Sequence, residues 1–164
     1  MSEIVNETQL TKAAYDRLAA ELDDLQTNGR KQMAERLQRA RELGDLSENA
    51  EYHETKNQQG MMEARIRKLE HILRTAQIVT APVVSDEAVA GSIVTLLSLD
   101  GTDERETYLL AASKEERHPD FRTLTIGSPL GVAIAGKKVG DKVEYTAPGG
   151  TFHYEIVTLA PWDA

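Results

Sequence analysis

Apolar positions in the first half of the chain recur at helical spacing. Tyr15, Leu18, Leu22 and Leu25 follow one another at steps of three and four, which predicts a helix with one apolar seam. Thr11 is a good N-cap for it. Asn28-Gly29 interrupts the pattern and predicts a kink, because glycine weakens a helix interior. The seam resumes at Met33, Leu37 and Ala40 and stops at Leu43-Gly44. A second seam runs Met62, Ile66, Leu69, Leu73, Ala76, on a helix expected to begin near Ser47 or Asn49 and to be weakened locally by Gly60. Two long helices separated by a few residues fold back on each other. At about 1.5 Å per residue, a helix of about 30 residues reaches roughly 45 Å, so residues 1–79 read as a long antiparallel hairpin with Gly44 to Glu48 at its tip.

The pattern changes near Thr80. No proline precedes Pro82, and Thr80-Ala81-Pro82 reads as a linker because proline disfavours continuation of a helix. Beyond it, β-branched residues, glycines and prolines alternate in short runs. Strands are expected over Ser92–Leu99, Arg105–Ala112, Arg122–Ile126, Lys142–Ala147 and Thr151–Leu159. Asp100-Gly101 and Pro148-Gly149-Gly150 are turn signals, and Pro129–Ala135, ended by Gly136, is expected as a short helix. The fold class is α+β: a helical hairpin over 1–79 and a small sheet domain with one short helix over 80–164.

Composition narrows the function classes. The net charge is −8, with 12 basic against 14 acidic residues before Thr80 and 7 against 13 from it onward. Such a chain is poorly suited to wrapping nucleic acid non-specifically, since phosphate binding needs positive charge. The absence of cysteine excludes disulfides and cysteine-based zinc sites. The first residues lack the basic and apolar regions of a secretory leader, and no apolar run approaches the roughly 20 residues of a membrane span. A cytoplasmic location and no membrane partner are therefore expected.

Candidate chemistry concentrates at the tip. Asp45 and Glu48 are three residues apart on a tight turn entering a helix, a spacing that puts both carboxylates on one side. A hard cation such as Mg²⁺ takes oxygen ligands and commonly only one or two carboxylates. The pair would thus make half of a metal site. The same residues also suit a plain capping box, with Asp45 as N-cap and Glu48 three residues on, because acids favour helix N-termini. Arg41 and Lys56 flank the tip on opposite helices and are either ligand- or partner-contacting cations or ordinary surface charges. Asn49, Tyr52 and His53 are expected to cap, pack and brace the tip; His53 lacks the HExxH spacing of a zinc protease.

The string from Gly44 to Gly60, GDLSENAEYHETKNQQG, resembles the tip signature of the GreA/GreB transcript cleavage factors. The resemblance extends to Ala64-Arg65-Ile66 and Leu69, to Ser128-Pro129-Leu130-Gly131 and to Ala147-Pro148-Gly149-Gly150, nearly the whole chain. It implies an N-terminal antiparallel coiled coil and a C-terminal FKBP-like domain. It further implies a bacterial RNA polymerase as partner, docked through the globular domain, with Ser128, Pro129 and Leu130 as docking candidates. The hairpin would enter the polymerase's secondary channel and meet the nascent RNA 3′ end. Asp45 and Glu48 would then help hold a Mg²⁺ shared with the polymerase and activate the attacking water, as in two-metal phosphodiester hydrolysis. Arg36, Arg39 and Arg41 form a basic run diluted by Glu35 and Glu42, thinner than the patch that the resemblance associates with the GreB subtype, which points to the GreA subtype; a monomer is expected.

Three other readings stand beside this one. A channel-binding inhibitor on the same fold would be expected to alter the tip acids. A coiled-coil chaperone or adaptor has no need of them. A stand-alone nuclease would need a cavity to hold its ions. The FKBP-like fold does not by itself imply prolyl isomerase activity.

Overall fold

The structure is a computed structural model that describes residues 8–45, 48–79 and 86–162. The expected linker Thr80-Ala81-Pro82 lies outside the described residues, as do Leu46 and Ser47. The chain forms two compact units, Asp16–Thr75 and a second that joins Met1–Tyr15 to Ala76–Ala164.

The first unit is helical. Helix α1 spans Lys12–Asp24, α2 spans Arg30–Glu42 and α3 spans Ala50–Thr75. Thr11 caps α1, its hydroxyl accepting the Ala14 N–H at 3.1 Å. Between α1 and α2 the chain does not break at Asn28-Gly29. It widens into one π-helical turn, Leu25–Gly29, with Gly29 itself in ordinary helical conformation. The apolar pattern gives the reason. Met33, Leu37 and Ala40 each come one residue later than a three-four alternation continued from Leu25 would place them, and a π turn absorbs one extra residue. Leu37 and Ala40 are consequently buried, as is Leu18. The Thr27 hydroxyl donates to the Asp23 carbonyl at 2.8 Å and Asn28 Nδ2 donates to Asp24 Oδ1 at 2.9 Å within that turn. Gly29 sits where the helices approach closely: a Cβ there would lie 3.1 Å from Met62 Sδ.

The returning helix buries Ile66 and Leu69. Polar pairs join it to the outgoing helices α1 and α2. Arg65 forks onto Glu21 at 2.7 and 2.9 Å, Arg30 onto Glu63 at 3.0 and 3.1 Å, and Arg36 Nη1 reaches Gln58 Oε1 at 2.6 Å. From Arg30 to Arg36 the partner number falls from 63 to 58, which is the signature of antiparallel packing. Bidentate geometry suits the planar guanidinium, and the hydrogen bond from Arg30 lowers the pKa of the Glu63 carboxyl. Thr55, one heptad before Met62 on the second seam's face, is a fully buried polar core position, with its hydroxyl donating to the Glu51 carbonyl at 2.8 Å.

The second unit begins with a feature that the apolar pattern does not reveal. Strand β1 (Gln9–Thr11) pairs in parallel with β2 (Gln77–Val79). The Gln77 N–H donates to the Thr8 carbonyl, so α3 stops at Thr75 and Ala76, expected on the second seam, lies beyond the helix. The remaining strands are β3 (Ser92–Ser98), β4 (Arg105–Ala111), β5 (Arg122–Thr125), β6 (Lys142–Ala147) and β7 (Gly150–Pro161), with α4 over Pro129–Ile134. They form one sheet in the order β5-β4-β3-β7-β6, antiparallel except for β4 with β5. Val94, Leu96, Leu110, Val143 and Ile156 pack with Leu130 and Ile134 of α4 into its core. Tyr145 stacks on Phe152 and on Tyr154 beside that core, at centroid separations of 5.4 and 6.1 Å.

Candidate functional site

The loop between α2 and α3 is built by two helix ends. Helix α2 closes with the Leu43 N–H on the Ala40 carbonyl at 3.2 Å and the Gly44 N–H on the Arg41 carbonyl at 3.5 Å. Gly44 has φ of +129°, a conformation that side chains oppose, and this is why glycine follows the helix. The Glu48 N–H donates to the Asp45 carbonyl at 3.3 Å, turning the chain back. Asp45 and Glu48 are both exposed.

The residue that caps α3 is Asn49, whose Oδ1 accepts the Tyr52 N–H at 3.0 Å. This corrects the capping-box alternative: helix α3 begins at Ala50, after both acids, so Asp45 is not its N-cap. The Nδ2 of Asn49 donates to the Ala40 carbonyl at the end of α2. Arg41 lies with its guanidinium carbon 5.9 Å from the Tyr52 ring centroid, and Tyr52 meets His53 edge to face at 5.9 Å. Lys56 is exposed and its ammonium donates to Gln59 Oε1 at 3.0 Å. Asn49, Tyr52 and Arg41 are thus linked at the roots of the loop that carries Asp45 and Glu48, while Lys56 stands one turn further down α3.

Chemically, two exposed carboxylates on a turn can offer hard oxygen ligands to a cation held mainly by something else. Among the described residues no group of three or more His, Cys, Asp or Glu is placed to hold an ion. Two carboxylates by themselves would supply only part of a cation's shell.

In the sheet unit, Ser128, Pro129 and Leu130 have internal duties. The Ser128 hydroxyl accepts the Gly131 N–H at 3.1 Å and donates to the Thr125 carbonyl at 2.7 Å, which caps α4. Pro129 occupies its first turn and Leu130 is buried in the core, so the side chain of Leu130 faces inward. Val132 on the same helix is exposed. Two features escaped the sequence reading. Glu116, nearly buried, accepts the N–H groups of Ala112 and Ser113 at 3.1 and 3.2 Å and shapes the turn after β4. His153 bridges two carboxylates, Nδ1 at 3.0 Å from Asp100 Oδ1 and Nε2 at 3.2 Å from Glu144 Oε2. Its pairing of residues 53 positions apart leaves no trace in local periodicity. Among the described residues no helix is long and apolar enough to cross a membrane.

Comparisons with known proteins cover both units. Residues 8–78 match the family model described as Transcription elongation factor, N-terminal, and residues 83–161 match Transcription elongation factor, GreA/GreB, C-term. The chain is 42% identical over 156 residues to the transcription elongation factor GreA of Saccharopolyspora erythraea, covering 94% of this chain and 95% of that protein. It is 44% identical over 148 residues to the GreA of Nautilia profundicola, covering 90% of each. Among solved structures, the GreA factor homolog 1 protein of Thermus thermophilus aligns at 28% identity over 94% of this chain and 99% of that one, with a TM-score of 0.43.

Proposed function

The chain belongs to the GreA/GreB family of transcription elongation factors, and on that premise we propose that it rescues backtracked RNA polymerase by stimulating the polymerase's own cleavage of the nascent RNA near its 3′ end. It acts in the bacterial cytoplasm as an accessory factor, not as an enzyme by itself. The globular unit docks on the polymerase, and the hairpin carries its tip through the secondary channel to the active centre.

The observation that carries this reading is the exposed pair Asp45 and Glu48 on a turn ahead of a helix that Asn49 caps. Acids placed for capping alone would sit at the cap itself. Here they stand before it, where their oxygens can face a partner's active site. A bound Mg²⁺ supplies charge to lower the pKa of a water and to steady the developing phosphodiester charge. Asp45 and Glu48 contribute ligand oxygens and orient the attacking water between them and the RNA. Arg41, 5.9 Å from the Tyr52 ring centroid, offers positive charge near the tip for the RNA phosphate.

Cleavage of a stalled, backtracked elongation complex at saturating factor tests the proposal. Asp45→Asn and Glu48→Gln keep size and remove the charge that a cation needs. Losing a metal-directed interaction of about 3–4 kcal/mol corresponds to roughly 10²–10³ in rate. Each variant is expected to lose that much cleavage stimulation while binding polymerase normally, and higher Mg²⁺ should restore part of it. Near-normal cleavage by both variants would falsify the shared-metal mechanism.

A further inference from the structure

We infer that Asn49 is a positioning residue for the tip carboxylates, because its one side-chain amide ties the last turn of α2 to the first turn of α3 on either side of the loop that carries them. The inference rests on the function proposed above.

Two helix ends meet at this loop, and each leaves backbone groups without helical partners: carbonyls at the end of α2, N–H groups at the start of α3. Asn49 serves one of each. Its Oδ1 accepts from the Tyr52 N–H and its Nδ2 donates to the Ala40 carbonyl, nine residues back. The orientation of the amide is unambiguous, since an N–H can only donate and a carbonyl can only accept. The Ala40 carbonyl takes the Leu43 N–H as well, using both of its lone pairs at the point where α2 ends. Ala40 itself is 1% exposed and cannot shift independently of the helix packing.

The consequence is geometric. The loop from Leu43 to Glu48 is held at both roots by one rigid planar group. Of the common N-cap residues, serine, threonine and aspartate supply the acceptor. Only the amide also supplies a donor on the other branch, so the choice of asparagine follows from the brace and not from capping. Without the brace both helices keep their caps, but the roots of the loop are free to separate, and with them Asp45 and Glu48.

Two variants isolate the brace. Asn49→Ser and Asn49→Asp both retain an N-cap acceptor. Serine lacks the reach and the second donor, and aspartate turns an oxygen toward the Ala40 carbonyl. In the full-length protein, far-UV circular dichroism, melting temperature and the factor concentration giving half-maximal cleavage are expected to stay as in the wild type. The maximal cleavage rate should fall about tenfold to a hundredfold in both, since small misplacements of reacting groups have effects of that order. A loss in Asn49→Asp alone would reflect its added charge and would overturn the inference. Full cleavage by both variants would overturn it too. Assaying Asp45→Asn alongside separates the two levels: if Asp45→Asn fails to cleave while the Asn49 variants cleave normally, the function stands and the brace does not. A lowered melting temperature that accounts for the lost rate would reduce Asn49 to a stabilising cap and equally overturn the positioning role.

Discussion

At the scale of single residues, the Ser-Pro-Leu-Gly run shows how a short motif can be set by local geometry. Ser128 caps α4, Pro129 supplies a preset φ in the first turn and Leu130 fills the core. Gly131 is required for a different reason. A Cβ there would collide with the Thr125 carbonyl oxygen, the same atom that accepts from the Ser128 N–H and hydroxyl. Gly131→Ala is therefore expected to destabilise the sheet unit by about 1–3 kcal/mol, the usual range for overpacking. Thermal denaturation followed by circular dichroism reads this directly, and an unchanged melting temperature would mean that the Thr125 turn yields at no cost.

At the scale of elements, the hairpin turn after β3 is pinned from outside. Asp100 accepts the His153 N–H at 2.8 Å through one oxygen and meets the His153 ring through the other, and Glu144 of β6 approaches the far side of that ring. The hydrogen bond to Asp100 is the main cause that raises the His153 pKa, and the His153 N–H, a backbone donor, is the main cause that lowers that of Asp100. The signs fix the window. A histidine whose folded-state pKa is raised contributes stability that is complete below its unfolded value, about 6.5, and is lost as pH rises through the folded value. A carboxylate whose pKa is lowered contributes above its unfolded value, about 3.9, and fails as pH falls through the folded one. The pin is thus strongest from about pH 4 to 6.5. His153→Ala should lower the melting temperature more at pH 6 than at a pH above the folded-state pKa, where the wild-type histidine is neutral. Equal decrements at both pH values would show that packing, not the ion pair, holds the turn.

For the molecule as a whole, the proposed function divides labour between a unit that docks and a unit that acts. A full-length Asp45→Asn, Glu48→Gln double variant keeps both folds, since the acids are exposed and Asn49 still caps α3. It should therefore compete with the wild type and suppress its cleavage in mixed reactions, with half suppression near equimolar factor when polymerase is limiting. Failure to compete, with the variant folded, would place polymerase binding at the tip itself and not in the sheet unit.

Periodicity alone determined the two seams, the antiparallel return, five strands and α4 to within a few residues. These depend on short-range rules: which faces are apolar, where glycine and proline interrupt, which residues cap. The GDLSENAEYHETKNQQG string likewise led to the family and to Asp45 and Glu48, because its chemistry is contiguous in the chain. Tertiary structure decided the rest. The interruption expected as a kink at Asn28-Gly29 takes the form of a π turn, since burying both halves of the seam against α3 outweighs the local weakness of glycine. Ala76 leaves its helix because β2 finds a partner 68 residues away in β1. His153 meets Asp100 through a pairing that no window of neighbouring residues contains, and the burial of the polar Thr55 and Glu116 is set by what packs around them. The same holds at the tip: that Asn49 caps a helix is a property of its residue type, but that its other end reaches Ala40 follows only when two helices bring their ends together.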